Sequence, residues 1–287
     1  MNYLSLIDQC TTYIKNNLSS EITAQELADL CGYSLYHLSS LFRACFGCSV
    51  GRYIHEEKLR LAAARIRQGH RISDVAIDVG FDTGSGFTKA FRRQFGCSPR
   101  EYRDLPVFPE DISSDASLRS SFRNPVSPEF VKRSGLKVFG YVIPVKEGHE
   151  QAGKAAFWSQ VNFRGFPSYP RDASGYAEIG TWINPDIRTG SMDYFFGYIT
   201  SDPRPAEGFQ QLALAGGNYA VFRLSYTDLS SVDQNKHPLL PEKIQALWQY
   251  IFEDWFSSQQ SVLFDENRLC FEKYGRDYVE ICVPVEI

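Results

Sequence analysis

No run of about 18 apolar residues, the length that a helix needs to cross a bilayer, occurs in the sequence of 287 residues. We therefore expect no membrane partner. The seven cysteines are irregularly spaced in a long chain, so a disulfide framework is not predicted either. No charged segment followed by an apolar stretch opens the sequence, which argues against a leader peptide. These absences predict a cytoplasmic protein.

Sequence patterns typical of catalysis or of cofactor binding are also lacking. The five histidines are scattered, and the sequence contains neither a nucleophile-and-base motif nor a phosphate-binding glycine loop. Cys45 and Cys48 form a C-x-x-C pair, but no second pair and no clustered histidines would complete a tetrahedral zinc site. We therefore predict a protein without enzymatic activity, without a cofactor and without a bound metal.

The net charge of −4 is small, but the charge changes sign along the chain. Residues 1–105 contain 13 basic and 11 acidic residues, whereas residues 106–287 contain 17 basic and 23 acidic ones. A modest positive excess permits nucleic-acid binding without demonstrating it, because binding depends on where the charges lie. Since the length is typical of about two domains, the change of sign favours a division near residue 105.

One phrase occurs twice in the basic half. The stretch LSSLFRACFGCSVGRYI at 38–54 returns as FTKAFRRQFGCSPREYR at 87–103, with the apolar positions kept and the polar ones changed. The kept positions form a one-sided helical stripe in each copy: Leu38, Leu41, Phe42 and Cys45, then Phe87, Ala90, Phe91 and Phe95. The repeat therefore predicts two copies of one helix that share an inner face and differ in their outward residues.

A shorter helix is predicted before each copy. Thr23 and Ser73 are the expected N-caps of these helices, and Glu26 completes a capping box with Thr23. Gly32 and Gly80 follow, where a left-handed residue ends a helix and starts a tight turn. Because a helix, a tight turn and a second helix make a helix-turn-helix, the chain is predicted to contain two such units.

The segment VGRYIHEEKLRLAAARIRQG between the two units has a helical stripe of its own. Roughly 18 residues at about 1.5 Å per residue give a connecting helix of about 27 Å. This length is on the order of the 34 Å between successive major-groove faces, so one chain could occupy two adjacent turns of the groove. We therefore predict double-stranded DNA as a partner.

About residues 5–105 resemble the AraC/XylS-type transcriptional regulators, and the stretch ISDVAIDVGFDTGSGFTKAFRRQFGCSPREYR carries most of the likeness. The resemblance implies two helix-turn-helix units joined by a long helix, with RNA polymerase as a further partner. It also implies that these side chains face DNA: Leu35, Tyr36, Ser39, Ser40 and Arg43 in the first unit, and Ser85, Thr88, Lys89, Arg92 and Arg93 in the second. Because Gly84, Ser85 and Gly86 reach few base edges, the second unit is expected mainly to grip phosphate.

The stretch PVFPEDISSDASLRSSFRNPVSPEF lacks periodicity and is rich in Pro, Ser and Asp, so residues 106–133 are predicted to form a linker. Beyond it, the order strand, helix, strand, strand occurs twice within residues 134–287. Two β-α-β-β repeats predict an α+β domain with an antiparallel sheet. The expected fold is therefore multidomain, with an all-α DNA-binding domain at 1–105 and an α+β effector-binding domain at 134–287.

The segments GGNYAVFRL and FEKY…VEICVPV resemble the gyrase-inhibitor-like effector-binding domain of Rob-type regulators. The resemblance implies a small lipophilic effector, often cationic, that meets a carboxylate among aromatic rings. Glu272, Glu280 and Glu178 are the candidate carboxylates, and for each of them a solvated position at a strand edge is the alternative. Candidate lining residues, of which only some point inward because strand side chains alternate, are Trp182, Tyr194, Phe195, Phe196 and Tyr219.

The sequence thus predicts a sequence-specific DNA-binding transcriptional regulator whose C-terminal domain binds a small lipophilic effector. Two alternatives stay open for that domain: a protein-interaction module without a ligand, and a hydrolase-like enzyme that acts on a hydrophobic compound. Saturable binding without turnover would favour the effector role, and formation of a product would favour the enzyme.

Overall fold

The computed structural model describes residues 3–104, 126–145, 178–199, 209–225, 239–275 and 278–287. The first of these ranges is helical, and the others form an antiparallel sheet with a packed helix. Within the described ranges, no helix is both long and apolar enough to cross a membrane.

The helical region runs through α1 Tyr3–Asn16, α2 Ala24–Cys31, α3 Leu35–Phe46, α4 Val50–Arg67, α5 Ile72–Asp78, α6 Gly84–Phe95 and α7 Pro99–Asp104. Capping explains several of these ends. Thr23 and Glu26 form the predicted capping box at the start of α2, and Gly32 ends that helix with a φ of 72°. Ser49 caps α4, the predicted connecting helix, which has the expected 18 residues.

The predicted N-cap of α5 is wrong. The helix begins at Ile72, so Arg71 occupies the N-cap position, and its side chain makes no capping hydrogen bond. Ser73 lies inside the first turn, where its hydroxyl donates to Asp74 Oδ1 at 2.9 Å. Packing of Val75 against α4 and α6 stabilises this short helix in place of a side-chain cap.

Two apolar clusters hold the helical region together, one for each repeated helix. The first cluster joins α1 to α4, and the second joins α4 to α6. Four residues of the predicted stripe are fully buried in them: Leu38, Phe42, Phe87 and Phe91. Because α4 contributes to both clusters, it fixes the distance between the two pairs of short helices.

The sheet consists of β1 Glu129–Arg133, β2 Leu136–Ile143, β3 Glu178–Ile183, β4 Asp193–Ile199, β5 Gln210–Leu214, β6 Gly217–Ser225, β7 Leu263–Phe264, β8 Phe271–Tyr274 and β9 Tyr278–Glu286. Its main path is β1-β6-β9-β8-β3-β4-β2-β5, and β7 pairs with β9. The pairings along it are antiparallel. Helix α8, Leu239–Tyr250, continues through a π-helical turn at Ile251–Trp255 to a last turn at Phe256–Ser258.

The described strands include those that the sequence predicts, and α8 lies where the second helix is expected. The helix predicted at 151–163 lies outside the described residues. Strand β1 falls within the stretch assigned to a linker, and β5 is not predicted from the sequence. Both are five-residue strands at the edges of the sheet, where pairing on one side only leaves a weak alternation in the sequence.

One apolar core crosses from the helical region into the sheet domain. From the helical side it takes Tyr3, Leu6, Leu41, Ala44 and Cys45, which pack against α8, its π-helical turn, β6 and β9. The ring centroid of Tyr3 lies 5.3 Å from that of Phe256 and 5.9 Å from that of Phe252. The two halves of the chain therefore share a hydrophobic interior.

Candidate DNA-binding faces and effector site

The outward side of α6 is open to solvent. It presents the residues predicted to face DNA: Ser85, Thr88, Lys89, Arg92 and Arg93. All of these except the half-buried Thr88 are exposed. Arg92 lies 3.6 Å from Glu101, and these side chains are 62% and 60% exposed. An ion pair so long and so exposed is weak, which leaves the guanidinium of Arg92 accessible to a phosphate.

The equivalent side of α3, which we call the α3 outward face, consists of Leu35, Tyr36, Ser39, Ser40 and Arg43. The sheet domain covers it. Ser39 is 0% exposed and Arg43 is 8% exposed, while the other three are half-buried. The hydroxyl of Tyr36 accepts a hydrogen bond from the backbone N–H of Cys270 at 3.0 Å. Burial raises the pKa of Tyr36 far above its usual range.

Polar contacts also hold both ends of α3 to the sheet domain. At the start of the helix, the backbone N–H of Ser34 donates to Glu266 Oε2 at 2.9 Å. At its end, Gln245 Nε2 donates to the carbonyl oxygens of Arg43 and Ala44 at 2.9 and 2.7 Å. The guanidinium of Arg43 lies 3.8 Å from the ring centroid of Trp182. Side chains of the second half therefore anchor α3 along its whole length.

The loop between β3 and β4 packs onto two helix N-termini beside α3. Asp186 Oδ1 shapes this loop by accepting the backbone N–H groups of residues 188 and 189 at 3.0 and 2.8 Å. The first two backbone N–H groups of α2 donate hydrogen bonds to the carbonyl oxygens of residues 188 and 187 at 2.9 and 3.0 Å. The backbone N–H of Gly51 in α4 donates to the carbonyl oxygen of residue 189 at 2.8 Å. The loop thus satisfies amides that an α-helix leaves without internal partners.

Glu272 is buried on the face of the sheet that α8 covers, with 3% of its surface exposed. Its carboxylate accepts the hydroxyls of Tyr274 at 2.5 Å and Tyr194 at 3.3 Å on one oxygen, and the indole N–H of Trp248 at 2.9 Å on the other. Burial and the charge of Glu272 raise the pKa of both tyrosines well above their usual range, so both remain donors. Among the described residues, no Lys, Arg or His forms an ion pair with Glu272.

Gly180 makes room for the hydroxyl of Tyr194. A Cβ at position 180 would lie 2.1 Å from that hydroxyl oxygen. Gly180 is also the register partner of Glu272 between β3 and β8. The missing side chain therefore allows the tyrosine to reach the carboxylate.

Three further candidate residues, Trp182, Phe196 and Glu178, lie on the same face as Glu272. The ring centroid of Trp182 is 4.9 Å from that of Tyr194, and the ring of Phe196 is 6.2 Å from that of Tyr274. Glu178, which is half-buried, is the register partner of Tyr274. The structure therefore brings a carboxylate and several aromatic rings together at the junction of β3, β4 and β8.

Glu280 lies on the opposite face, because its register partner is Lys273, the neighbour of Glu272 in β8. Its carboxylate contacts Arg133 at 3.3 Å, Lys273 at 3.4 Å, and Arg223. Burial by itself would raise the pKa of Glu280, but Arg223, Lys273 and Arg133 together lower it. Because three cations already neutralise this carboxylate, it attracts a cationic ligand only weakly.

The remaining two candidates also lie on this opposite face. Phe195 and Tyr219 are buried in the cluster that contains Ile179 and Phe271. The hydroxyl of Tyr219 donates to the carbonyl oxygen of Ala215 at 2.9 Å. These two side chains therefore fill the interior behind the sheet and do not meet Glu272.

Sequence reasoning missed Tyr274 and Trp248 as partners of Glu272. Tyr274 could have been found, because it follows Glu272 by two residues in one strand and so lies on the same face. Trp248 comes from α8, and no local pattern indicates which strand residue it contacts.

Two family profiles match parts of the sequence. One, described as a helix-turn-helix domain, covers residues 27–104, and the other, described as an integron-associated effector binding protein, covers residues 129–285. The class defined by fold and site is thus an AraC-type DNA-binding domain joined to a gyrase-inhibitor-like effector-binding domain. Because the second profile covers more than half of the chain, the chain belongs to the family of integron-associated effector binding proteins.

Bacterial regulators are similar to the helical region. It is 34% identical over 99 residues to the putative HTH-type transcriptional regulator YkgA of Escherichia coli K12, which covers 34% of this chain and 41% of YkgA. It is 32% identical over 104 residues to the regulatory protein SoxS of the same strain, which covers 36% of this chain and 97% of SoxS. Among solved structures, the integron cassette protein VCH_CASS2 of Vibrio cholerae is 17% identical and covers 56% of this chain and 96% of that one, with a TM-score of 0.39.

Proposed function

We propose that this chain regulates transcription by binding DNA through two helix-turn-helix units, α2–α3 and α5–α6, and that its C-terminal domain binds a small lipophilic cation. The proposal of a cationic effector rests on the carboxylate of Glu272. Glu272 is 3% exposed, and its carboxylate accepts hydrogen bonds from three neutral donors. The two matching family profiles support the division of labour between the halves.

A carboxylate surrounded by aromatic rings favours a cation for two reasons. Opposite charges attract far more strongly in this buried setting than in water, because the local dielectric is low. The ring faces of Trp182 and Tyr194 add a second, cation–π attraction. The hydroxyl and indole donors hold the carboxylate in place but carry no charge, so the ligand supplies the balancing positive charge.

Tetraphenylphosphonium is a suitable probe, because it is a permanent cation with a wholly aromatic surface. We expect saturable binding, followed by tryptophan emission, since Trp182 and Trp248 lie at the site. Glu272→Gln keeps the size of the side chain and removes its charge, and we expect it to weaken binding about tenfold or more. Glu280→Gln is the matched control, because this carboxylate lies on the other face and already pairs with three cations.

Tetraphenylborate has the same shape and the opposite charge, and we expect it to bind much more weakly. Equal affinity for both ions, or equal loss in both glutamine variants, would contradict a cation site at Glu272. Release of a product from a hydrophobic ester, abolished by Glu272→Gln, would instead support the hydrolase-like alternative. Absence of binding across lipophilic cations would favour a protein-interaction module.

The DNA-binding part is tested through the salt dependence of affinity for duplex DNA. Removal of one phosphate-binding side chain lowers the slope of log affinity against log salt by about 0.9. We expect Lys89→Ala and Arg92→Ala each to flatten the slope, because both side chains are exposed on α6. Lys15→Ala on α1 is the control, since it removes one exposed charge elsewhere. Equal slopes in all variants would refute the placement of α6 on DNA.

We propose RNA polymerase as a further partner of the DNA-bound chain. We expect the DNA-bound chain to alter transcription by purified RNA polymerase from a template that carries its binding site. An effect that follows occupancy of the site supports regulation, and occupancy without any change in transcript would contradict it.

A further inference from the structure

The α3 outward face cannot read DNA in the arrangement that the structure shows. A recognition helix contacts base edges only when its outward side chains enter the major groove, which is about 12 Å wide. Ser39 is fully buried, Arg43 is 8% exposed, and the hydroxyl of Tyr36 is bonded to the backbone of Cys270 in the sheet domain. A duplex would therefore collide with the sheet domain before reaching these side chains.

The loop between β3 and β4 occupies positions that a DNA backbone would use. Helix N-termini attract phosphate, because their free amides donate hydrogen bonds and carry partial positive charge. The first amides of α2 and the Gly51 amide of α4, both beside α3, instead donate to carbonyl oxygens of residues 187–189. Gly190 follows in this loop, and a Cβ there would lie 2.9 Å from Ser39 Oγ. The loop is thus packed closely against the same surface.

The covered face is connected directly to the proposed effector site. The guanidinium of Arg43 stacks on Trp182, the ring of Trp182 packs on Tyr194, and the hydroxyl of Tyr194 donates to Glu272. Arg43 therefore already supplies a cation to one aromatic ring of the site. A lipophilic cation that packs on Trp182 would compete with Arg43 for the same ring.

We propose that the structure is a closed state in which the effector-binding domain masks the first helix-turn-helix unit, and that a cation at the Glu272 site opens it by displacing Arg43 from Trp182. This inference rests on the proposed function, because it needs both a DNA-reading role for α3 and a cation site. In the closed state, DNA is held by the second unit alone. In the open state both units bind, so affinity rises and more phosphates are contacted.

The masking is tested first without any ligand, by weakening the contacts that hold α3. Gln245→Ala and Glu266→Ala remove hydrogen bonds to both ends of α3 and leave every predicted DNA-facing side chain intact. For a duplex of random sequence, we expect the double variant to bind about tenfold more tightly and with a slope steeper by about 0.9 for each additional phosphate bound. Glu242→Ala, an exposed change in the same helix as Gln245, should bind like the wild type.

Unchanged affinity and slope in the double variant, with binding that still depends on Lys89, would overturn the masking while leaving the DNA-binding proposal intact. Binding that depends on neither Lys89 nor the opening substitutions would overturn both. The two failures are therefore distinguishable in one set of titrations.

A reversible cross-link tests the link to the effector site. A Cβ at Gly190 would lie 3.2 Å from Cβ of Ala24, slightly below the 3.5–4.5 Å typical of a disulfide. Because Gly190 has a φ of 63° and a Cβ there would lie 2.9 Å from Ser39 Oγ, the reduced Gly190→Cys variant measures what this substitution alone does to the closed state. We expect tetraphenylphosphonium to raise the DNA affinity of the wild type about tenfold, and to have no effect on oxidised Ala24→Cys/Gly190→Cys until a thiol reduces it. Each single cysteine variant under the same oxidant is the control, because Cys10 and Cys31 lie with their sulfurs 3.0 Å apart. An equal rise in the oxidised double variant would overturn opening as the mechanism.

Discussion

Acidification should lower the free energy of unfolding through one buried histidine at the contact between α3 and the sheet domain. His37 lies on α3, is 0% exposed, and has no hydrogen-bond partner at either ring nitrogen among the described residues. Its ring stacks on Tyr33 at 4.8 Å and lies 4.3 Å from the ring of Phe264 in β7. Burial lowers the pKa of His37 from 6.5 to about 3, since a charged imidazole here would be desolvated.

The sign and size of the effect follow from this shift. The folded chain keeps His37 neutral, whereas the unfolded chain binds a proton below pH 6.5, so folding loses stability as the pH falls from 6.5 towards 3. At pH 5 the loss amounts to about 2 kcal/mol relative to pH 7.5, because each pKa unit is worth about 1.36 kcal/mol. At pH 7.5 and above, His37 contributes no such loss.

Urea unfolding at pH 7.5 and pH 5 measures this difference. We expect His37→Phe, which keeps an aromatic ring among aromatic neighbours, to lose about 2 kcal/mol less than the wild type between the two pH values. The burial of His55 also lowers the pKa of that residue, but it is present in both chains and cancels. His70→Gln, an exposed change, should behave like the wild type. Equal losses in the wild type and His37→Phe would refute the reasoning.

Three other substitutions have definite expected outcomes. Thr23→Ala removes the capping box of α2 and should lower the free energy of unfolding by about 1 kcal/mol, measured by urea titration, whereas Thr12→Ala, an exposed change on α1, should change it little. Gly180→Ala places a methyl group against the Tyr194 hydroxyl and should weaken tetraphenylphosphonium binding in the fluorescence titration; unchanged affinity would count against this placement. Tyr36→Phe leaves the Cys270 amide without its acceptor and so weakens the contact that masks α3; DNA affinity should rise in the salt titration, and a fall would count against the masking.

Local features of the helical region could be predicted because their causes lie within a few residues. Thr23 and Gly32 set helix ends through their own side chain or backbone conformation, and the stripe at Leu38 and Phe42 needs only helical spacing. Ser73 failed as a cap because the helix starts at Ile72, two residues earlier than a helix capped by Ser73 would, and packing of Val75 compensates for the missing cap.

The sequence alone could not distinguish the roles of the two buried carboxylates. Glu272 and Glu280 both lie in apolar, aromatic strands, and both are 3% exposed. Their surroundings differ because of residues far along the chain: Trp248 and Tyr194 reach Glu272, whereas Arg133 reaches Glu280. The order of the strands in the sheet and the packing of α8 on it bring these partners together.

The covering of α3 was equally hidden from sequence reasoning. Outward positions such as Ser39 and Arg43 are polar and predict exposure on an isolated helix. Their burial depends on Gly190 and Trp182, which come from the other half of the chain. Helical periodicity describes which side chains share a face and does not indicate what that face contacts.

The apolar core that joins α1 and α3 to α8 restricts which parts related regulators can exchange by recombination. A DNA-binding half transplanted from a relative would bring its own residues to positions 3, 41, 44 and 45, against Phe252 and Phe256. Since protein interiors are close-packed, such residues would fit only with compensating substitutions across the junction. The two halves of this chain must therefore evolve together, although their contacting residues lie far apart in the sequence.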